Sequence, residues 1–224
     1  MSKKHPREPE TTWQKIWHFI WYEDSLLSWA ANIVLAFIII KFLIYPLLSL
    51  VFGTSLPVVA VISCSMDHGY TNCGQDAPDN LCGIIGEGPR DLDSYWTTCG
   101  DFYEQRGITK EEFSDYPLSH GFRKGDVIVL AGVAPEKVSL GDVLVFSSDR
   151  AYPIIHRVVD IKETDTGYIY QTKGDHNPTQ IIDGGLDETN VPNQVVIGRG
   201  IFRIPFLGYI KILAVDGISL LTGK

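Results

Sequence analysis

The sequence predicts a mainly β protein, in which an N-terminal transmembrane helix precedes a compact antiparallel β domain that carries a small helical insertion. The first observation is an apolar run at residues 26–52, LLSWAANIVLAFIIIKFLIYPLLSLVF, which is longer than the roughly 20 residues that span a hydrocarbon core. The second is a change of pattern after residue 57, where short β-branched runs alternate with turn residues. The third is composition, because 21 glycines and 12 prolines among 224 residues favour turns over long helices.

Residues 25–53 are predicted to form a retained membrane anchor. The run exceeds the roughly 7–15 apolar residues of a cleaved signal sequence. A buried core helix is the alternative, although a globular helix rarely lacks a polar face for this length. Four basic residues precede the run: Lys3, Lys4, Arg7 and Lys15. After the run, the first lysine or arginine is Arg90. The positive-inside rule therefore places the N-terminus in the cytoplasm and the later residues outside, across the cell membrane or, in a eukaryote, the endoplasmic-reticulum membrane.

Residues 1–24 form a polar leader marked by tryptophans. Trp13, Trp17 and Trp21 recur every four residues and so share one face of a helix. Such a stripe is typical of an amphipathic helix that lies in the headgroup region of the inner leaflet. A disordered or partner-bound tail is the alternative.

The β domain is predicted over residues 54–66 and 121–210. Its strand-like runs are PVVAVIS at 57–63, GDVIVL at 125–130, GDVLVF at 141–146, YPIIHRVVDI at 152–161, YIYQTKGD at 168–175 and QVVIGRGIFRI at 194–204. Two of these runs begin with Gly-Asp, a turn dipeptide. This spacing predicts a mostly antiparallel sheet.

Residues 67–120 are predicted to be an insertion that decorates the β domain. Two helices are expected within it, at 91–106 and 109–115, the second with a Thr109–Glu112 capping box. Outside the cytoplasm its three cysteines, Cys73, Cys82 and Cys99, predict one disulfide, although the sequence does not determine which two are joined. Either Cys73–Cys82 or Cys82–Cys99 would staple the insertion. A zinc site made by these cysteines with His68 or His120 is the alternative, but their spacing does not match that of structural zinc sites. We therefore expect no metal.

The C-terminal tail at 204–224, which begins IPFLGYIKILAV, is again apolar. Lys211 and Asp216 interrupt it, so an interfacial or partner-packed segment is predicted rather than a second full crossing.

The residues suited to chemistry begin where the first β run ends, at Ser63-Cys64-Ser65. A serine hydroxyl needs an adjacent base and donors for the oxyanion before it can act as a nucleophile. His156, in a β-patterned run, is a candidate base, and Asp175 or Asp183 could fix its tautomer. Each has a structural alternative, since buried histidines often bond backbone carbonyls and aspartates beside glycine are common in turns.

In combination these motifs resemble those of type I signal peptidases, in the archaeal and endoplasmic-reticulum branch. The resemblance covers residues 57–66 and 121–210 together with the preceding anchor. Its four boxes occur in the family's order: Ser63-Cys64-Ser65-Met66, the Gly-Asp runs at 125–129 and 141–146, Ile155-His156-Arg157-Val158-Val159, and Thr172-Lys173-Gly174-Asp175-His176-Asn177.

The resemblance implies a serine endopeptidase without a cofactor. It implies that Ser65 is the nucleophile, that the Ser65 N–H and the Ser63 hydroxyl bind the oxyanion, and that His156 is the base. Val61, Ile62 and Ile128 are expected to shape shallow substrate pockets. Asp175 matches the acid of the last box, but the family's second aspartate falls on Ile181 in this chain, so both Asp183 and Asp175 are candidates for the acid that orients His156.

Two further departures lie near the serines, since His68 stands where relatives usually have proline and Cys64 where they often have glycine. The implied partners are the signal peptides of secretory preproteins and the lipid bilayer, with the protein translocation machinery as a further candidate. A net charge of −8 argues against a nucleic-acid partner. The remaining alternatives are a membrane-anchored binding module without activity and a related self-cleaving serine peptidase.

Overall fold

The structure is a computed structural model that describes residues 11–73 and 78–208. The first ten residues of the predicted leader and most of the predicted C-terminal tail, residues 209–224, lie outside the described residues. The chain divides into two units, residues 1–51 and 52–224.

The first unit is helical and begins with the tryptophan-rich helix that the sequence predicts. Helix α1 spans Thr12–Trp21 and starts with a capping box between Thr11 and Gln14. Helix α2 spans Leu26–Ile39. Two side chains of α2 bind carbonyls near the end of α1: Ser28 Oγ donates to Phe19 at 2.5 Å and Asn32 Nδ2 donates to Ile20 at 2.9 Å.

The apolar helix continues from Leu26 to Phe52, with a mean hydropathy of 2.5, and is long and apolar enough to cross a membrane. It contains a π-helical segment, Ile40–Ile44, before α3 at Tyr45–Phe52. Pro46 has no N–H to donate to the carbonyl one turn earlier, and a local change of helical pitch just before a proline accommodates that loss.

The second unit is built on a seven-stranded sheet, and the predicted mainly antiparallel β class is confirmed. Its order is β1-β4-β11-β5-β6-β7-β10, and every adjacent pair is antiparallel. The strands are β1 Val58–Ala60, β4 Val127–Ala131, β5 Val143–Phe146, β6 Ile154–Thr164, β7 Gly167–Lys173, β10 Val191–Pro192 and β11 Val196–Ile204. Two hairpins lie outside this sheet: β2 Asn80–Leu81 with β3 Ile84–Ile85, and β8 Ile182–Asp183 with β9 Leu186–Asp187. Register shifts in β6 and β11 curl the sheet.

The two Gly-Asp pairs, at 125–126 and 141–142, have the same structural role. Both glycines have positive φ, 92° and 85°, which a residue with a side chain rarely adopts. Each aspartate accepts a hydrogen bond from a backbone N–H three residues earlier, at 2.9 Å. Each also pairs with an arginine of β11, Arg203 at 2.7 Å and Arg199 at 3.1 Å. The repeated motif therefore places β11 between β4 and β5.

The insertion contains both predicted helices, α4 at Leu92–Glu104 and α5 at Lys110–Asp115, and α5 has the predicted capping box. Their aromatic side chains form a core cluster with a residue of β6: Tyr95, Trp96, Tyr103, Phe113 and Val159. The insertion thus shares a hydrophobic core with the sheet.

The described cysteines form two disulfides, Cys64–Cys73 and Cys82–Cys99. The sequence leaves the pairing open, and the second disulfide is one of the two that would staple the insertion. The expectation of a single disulfide is corrected, because Cys73 pairs with Cys64 of the serine motif. Cys73 lies only nine residues after Cys64, so this disulfide closes a short loop that begins at the serine motif.

Candidate active site

The first β run stops earlier than predicted, and the residues after it form a tight turn that presents the two serines. Strand β1 ends at Ala60, and Val61 bonds to the loop before β4 through its own N–H and carbonyl, both at 2.9 Å. The Asp67 N–H then donates to the Cys64 carbonyl at 2.8 Å. Met66 fixes this turn, because its side chain is 1% exposed and packs in the core below the sheet.

A groove of about 600 Å³ runs beside this turn. One wall consists of residues 58–63, and the other consists of residues 150–155, before and within β6. Ser65 and His156 also line the groove. Strand β1 ends the sheet order, so its outer edge faces this space without a partner strand among the described residues.

The two serine hydroxyls lie together, since Ser63 Oγ and Ser65 Oγ are 3.2 Å apart. The Ser65 carbonyl accepts the His176 N–H at 2.9 Å, which attaches the turn to the loop after β7. Ser65 Oγ makes its hydrogen bond with Ser63 rather than with His156 in the described part of the chain. In enzymes, hydrogen bonds between a nucleophile and its base are often long without substrate and tighten when it binds.

His156 is held by a carboxylate that sequence reasoning missed. Its Nδ1 donates to Glu188 Oε1 at 2.5 Å. The same carboxylate accepts the Thr172 hydroxyl at 3.1 Å and the Ile181 N–H at 2.7 Å, and Glu188 is fully buried. Because a carboxylate only accepts, Nδ1 carries the proton of a neutral ring and Nε2 carries the lone pair.

Gly174 keeps space open beside that lone pair. A β-carbon at this position would lie 2.6 Å from Asn177 Nδ2, 2.8 Å from His156 Nε2 and 2.8 Å from the Ser65 carbonyl oxygen. All three distances are too short for real contacts. The glycine of the Lys-Gly-Asp box is therefore a steric requirement of the imidazole and the serine turn.

Neither predicted aspartate contacts His156. Asp183 is exposed and pairs with Arg150 at 2.7 Å. Asp175 is fully buried and accepts from Arg157 Nη2 at 2.7 Å, from His68 at 2.9 Å and from the Tyr103 hydroxyl at 3.1 Å. Asp175 therefore lies at the centre of a buried ionic cluster.

The pKa values of Asp175 and His68 are shifted by burial and by the charged groups around them. Burial alone would raise the pKa of Asp175, but the Arg157 guanidinium and the His68 hydrogen bond outweigh it and hold that pKa far below its usual range. Burial lowers the pKa of His68 despite its contact with Asp175. The His68 ring also stacks on Tyr95, with ring centroids 3.7 Å apart.

Lys173, next to Gly174, is also fully buried. Burial lowers its pKa to about 8. Its Nζ donates to the carbonyls of Gly174 and Asp175, at 3.0 and 3.2 Å, and lies over the rings of Phe102 and Tyr103. It therefore binds the loop that carries Asp175 to helix α4 of the insertion.

The predicted pocket residues differ in their placement. Ile62 is 47% exposed and lines the groove. Val61 lines it too but is only 2% exposed, so its side chain is in the core. Ile128 is fully buried in the same core cluster and does not line the groove, because its position in β4 faces the interior of the sheet.

The local sequence does not distinguish Glu188 from its acidic neighbours, and the alternation that buries it is seen only in the structure. Leu186 is buried, Asp187 is exposed and Glu188 is buried, which is the two-residue period of a strand with one inward face. An acid on the inward face needs a buried partner. In the sequence, Glu188 is one of several acids in a turn-rich segment.

The groove brings together a pair of serine hydroxyls and an imidazole that a buried carboxylate orients. These are the groups that a serine nucleophile requires for acyl transfer, so the site defines the class of candidate serine hydrolases. No family model matches the chain.

Several curated proteins similar to this chain are named as catalytic subunits of the signal peptidase complex. This chain is 32% identical over 104 residues to the signal peptidase complex catalytic subunit SEC11C of Canis lupus familiaris and of Homo sapiens. The matched region covers 44% of this chain and 53% of each relative. The chain is 32% identical over 102 residues to SEC11 of Yarrowia lipolytica, which is 44% of this chain and 59% of that relative. The homologues are therefore catalytic subunits of the signal peptidase complex, type I signal peptidases of the endoplasmic-reticulum kind. The chain spans just over half the length of the curated relatives it matches.

Proposed function

We propose that this chain is a membrane-anchored serine endopeptidase that removes signal peptides from exported preproteins. In this proposal Ser65 is the nucleophile, His156 is the general base and Glu188 orients and stabilises the imidazole. One observation carries the proposal. Ser65 and His156 line the same groove as the free edge of β1, and a buried carboxylate holds the far nitrogen of that histidine.

The chemistry assigns one role to each of these groups. Ser65 Oγ attacks the scissile carbonyl while its proton passes to His156 Nε2, and the oxyanion is bound by the Ser65 N–H and the Ser63 hydroxyl. The imidazolium, stabilised by Glu188, then gives its proton to the departing amine and leaves an acyl-enzyme. Water, deprotonated by the same nitrogen, releases the signal peptide as a carboxylic acid.

Substrate recognition follows from the groove. An extended peptide can pair with the outer edge of β1 by strand addition, which satisfies its backbone without regard to its side chains. Between residues 58–63 and 150–155 the walls are mostly apolar, with exposed Ile62 and Tyr152 among them, apart from Ser63 and Arg150. Such walls suit the small residues that precede a signal-peptide cleavage site.

Membrane attachment is proposed for residues 26–52. We propose that the basic N-terminal flank stays in the cytoplasm and that the β domain lies on the other side, as the distribution of lysine and arginine predicts. The relatives are named as subunits of a complex, which makes partner subunits and translocation machinery candidates for this chain as well.

The test is cleavage of a model preprotein by the full chain in detergent. Ser65→Ala should abolish product, whereas Ser114→Ala should cleave like wild type, because Ser114 is an exposed residue of α5. Both variants should remain membrane-inserted. Cleavage by Ser65→Ala at the wild-type rate would refute the proposal, and peptide binding without cleavage by wild type would favour the binding module instead.

A further inference from the structure

The disulfide beside the serines lies against an unsatisfied imidazole. Cys64 separates Ser63 from Ser65, Cys73 follows in the exposed loop, and His176 comes from the loop after β7. The two sulfurs and one ring nitrogen of His176 all lie within 4.8 Å of one another.

His176 is held so that one nitrogen has no partner. Its backbone N–H donates to the Ser65 carbonyl and its own carbonyl accepts the Cys82 N–H, both at 2.9 Å. Its Nδ1 donates to the Asp67 carbonyl at 3.1 Å. Since a carbonyl can only accept, the lone pair of the neutral ring is on Nε2. That atom is buried, in a residue 2% exposed, and has no hydrogen-bond partner among the described residues.

We propose that Cys64, Cys73 and His176 form a binding site for a thiophilic divalent cation such as Zn²⁺ when the Cys64–Cys73 disulfide is reduced. A disulfide is a poor partner for an imidazole lone pair, but two thiolates and a neutral imidazole are a preferred ligand set for zinc. Zinc bonds of about 2.0–2.3 Å put tetrahedral ligand atoms roughly 3.4–3.8 Å apart. The two sulfurs, which are bonded to each other in the disulfide, must therefore move apart once it is reduced. The imidazole nitrogen, within 4.8 Å of both sulfurs, needs only a small shift to complete the site.

The chemistry balances with an external thiol as the reductant. Two equivalents of that thiol become one disulfide while the Cys64–Cys73 bond becomes two thiols. Binding of Zn²⁺ then releases the two thiol protons, and the two thiolates neutralise the cation. The fourth coordination position is left for water.

The two disulfides differ in access, which makes selective reduction feasible. Cys73 is exposed and Cys64 is half-buried, whereas Cys99 is only 3% exposed within the core of the insertion. Exposed disulfides are the ones that an external thiolate attacks. In the reduced chain the bound cation would replace the covalent link between the serine turn and the start of the insertion.

Cobalt titration of the full chain in detergent tests this site. After mild reduction, verified by the mass gained on alkylation of a parallel sample, Co²⁺ should give sulfur-to-metal charge-transfer absorption at one equivalent, and Zn²⁺ should displace it. The oxidised chain should give no such absorption. Cys73→Ser and His176→Gln should each weaken binding more than about 100-fold, since even supporting residues of metal sites are worth 10–100-fold.

The matched control is the double variant Cys82→Ser with Cys99→Ser, which keeps the proposed ligands and removes the other thiols. It should bind Co²⁺ like wild type after reduction. Absence of charge-transfer absorption in reduced wild type would overturn the proposal, as would equal binding by Cys73→Ser or loss of binding in the double variant. None of these results depends on whether the chain cleaves preproteins.

Discussion

Replacing Glu188 by glutamine removes the negative charge that faces His156 while keeping the size of the side chain. His156 Nδ1 and Glu188 Oε1 are 2.5 Å apart. When the ring becomes an imidazolium in the transition state, the centres of the two charges lie roughly 4 Å apart, and such a pair attracts by about 4 kcal/mol at an effective dielectric constant near 20. One factor of ten in rate corresponds to about 1.4 kcal/mol. If Glu188 stabilises the imidazolium of the transition state, Glu188→Gln should lower kcat/KM about 1,000-fold.

The orientation of the new amide does not rescue the site. With its oxygen towards His156, its NH₂ group faces the Ile181 N–H, which Glu188 Oε2 now accepts at 2.7 Å. With its NH₂ group towards His156, it forces the proton onto Nε2, and a wrong tautomer in a related triad costs about 10⁴ in kcat. Either orientation is unproductive. Some loss of stability is also expected, so the variant's unfolding must be measured beside its activity.

The assay is the rate of preprotein cleavage in detergent, at a temperature where both proteins are folded. Asp183→Asn is the matched control, because Asp183 is 73% exposed and its pair with Arg150 lies at the surface. Exposed pairs are worth at most about 1 kcal/mol, so this change should cost no more than about fivefold. The reasoning is refuted if Asp183→Asn is the damaging change, or if Glu188→Gln retains more than about a tenth of wild-type kcat/KM.

The remaining predictions concern the loop after β7. Gly174→Ala should abolish cleavage with a smaller effect on unfolding, because its new β-carbon meets His156 Nε2 and the Ser65 carbonyl at 2.8 Å; wild-type activity in this variant would contradict the packing described. Asp175→Asn should lower the free energy of unfolding by about 3–5 kcal/mol in denaturant titrations, since it leaves the buried guanidinium of Arg157 unpaired; a change below about 1 kcal/mol would show that the pair is not buried in solution. Acidification should destabilise the protein progressively below about pH 6.5, where unfolded His68 gains a proton that the folded residue resists, and further near pH 4, where unfolded Asp175 does the same. Unfolding midpoints that stay flat from pH 7 to about pH 4 would contradict the assignment for His68, and the absence of a further fall below about pH 4 would contradict the assignment for Asp175.

Much of the fold follows from local sequence signals. Short local patterns predict four features: the Gly-Asp turns, the strands β6 and β7, the capping box of α5 and the apolar helix. Each pattern lies within one continuous stretch of sequence. These signals suffice for the sheet class and for most element boundaries. The first strand was predicted too long, because PVVAVIS is apolar throughout. What stops it is the bond between Val61 and the loop before β4, a contact between residues about 65 positions apart.

The candidate site was predictable where its groups belong to motifs and not where they depend on pairing across the fold. Ser63, Ser65 and His156 were found from the boxes. Glu188 and the Cys64–Cys73 pair were missed, because each depends on which loops meet in space. Asp175 and Asp183, each beside a glycine, were reasonable candidates for the acid that holds His156. Each instead pairs with an arginine, and the carboxylate that reaches the imidazole is that of Glu188.

The buried carboxylate of Asp175 has a consequence for how this protein can be shortened or redesigned. Two tyrosines of α4 close over it, Tyr103 through the carboxylate at 3.1 Å and Tyr95 through the backbone carbonyl at 3.0 Å. A segment that the sequence presents as an optional appendage thus lines the buried ionic cluster next to the serine turn. Trimming residues 67–120 would let water reach Arg157 and Asp175, so any minimal version of this scaffold must supply a replacement cover of its own.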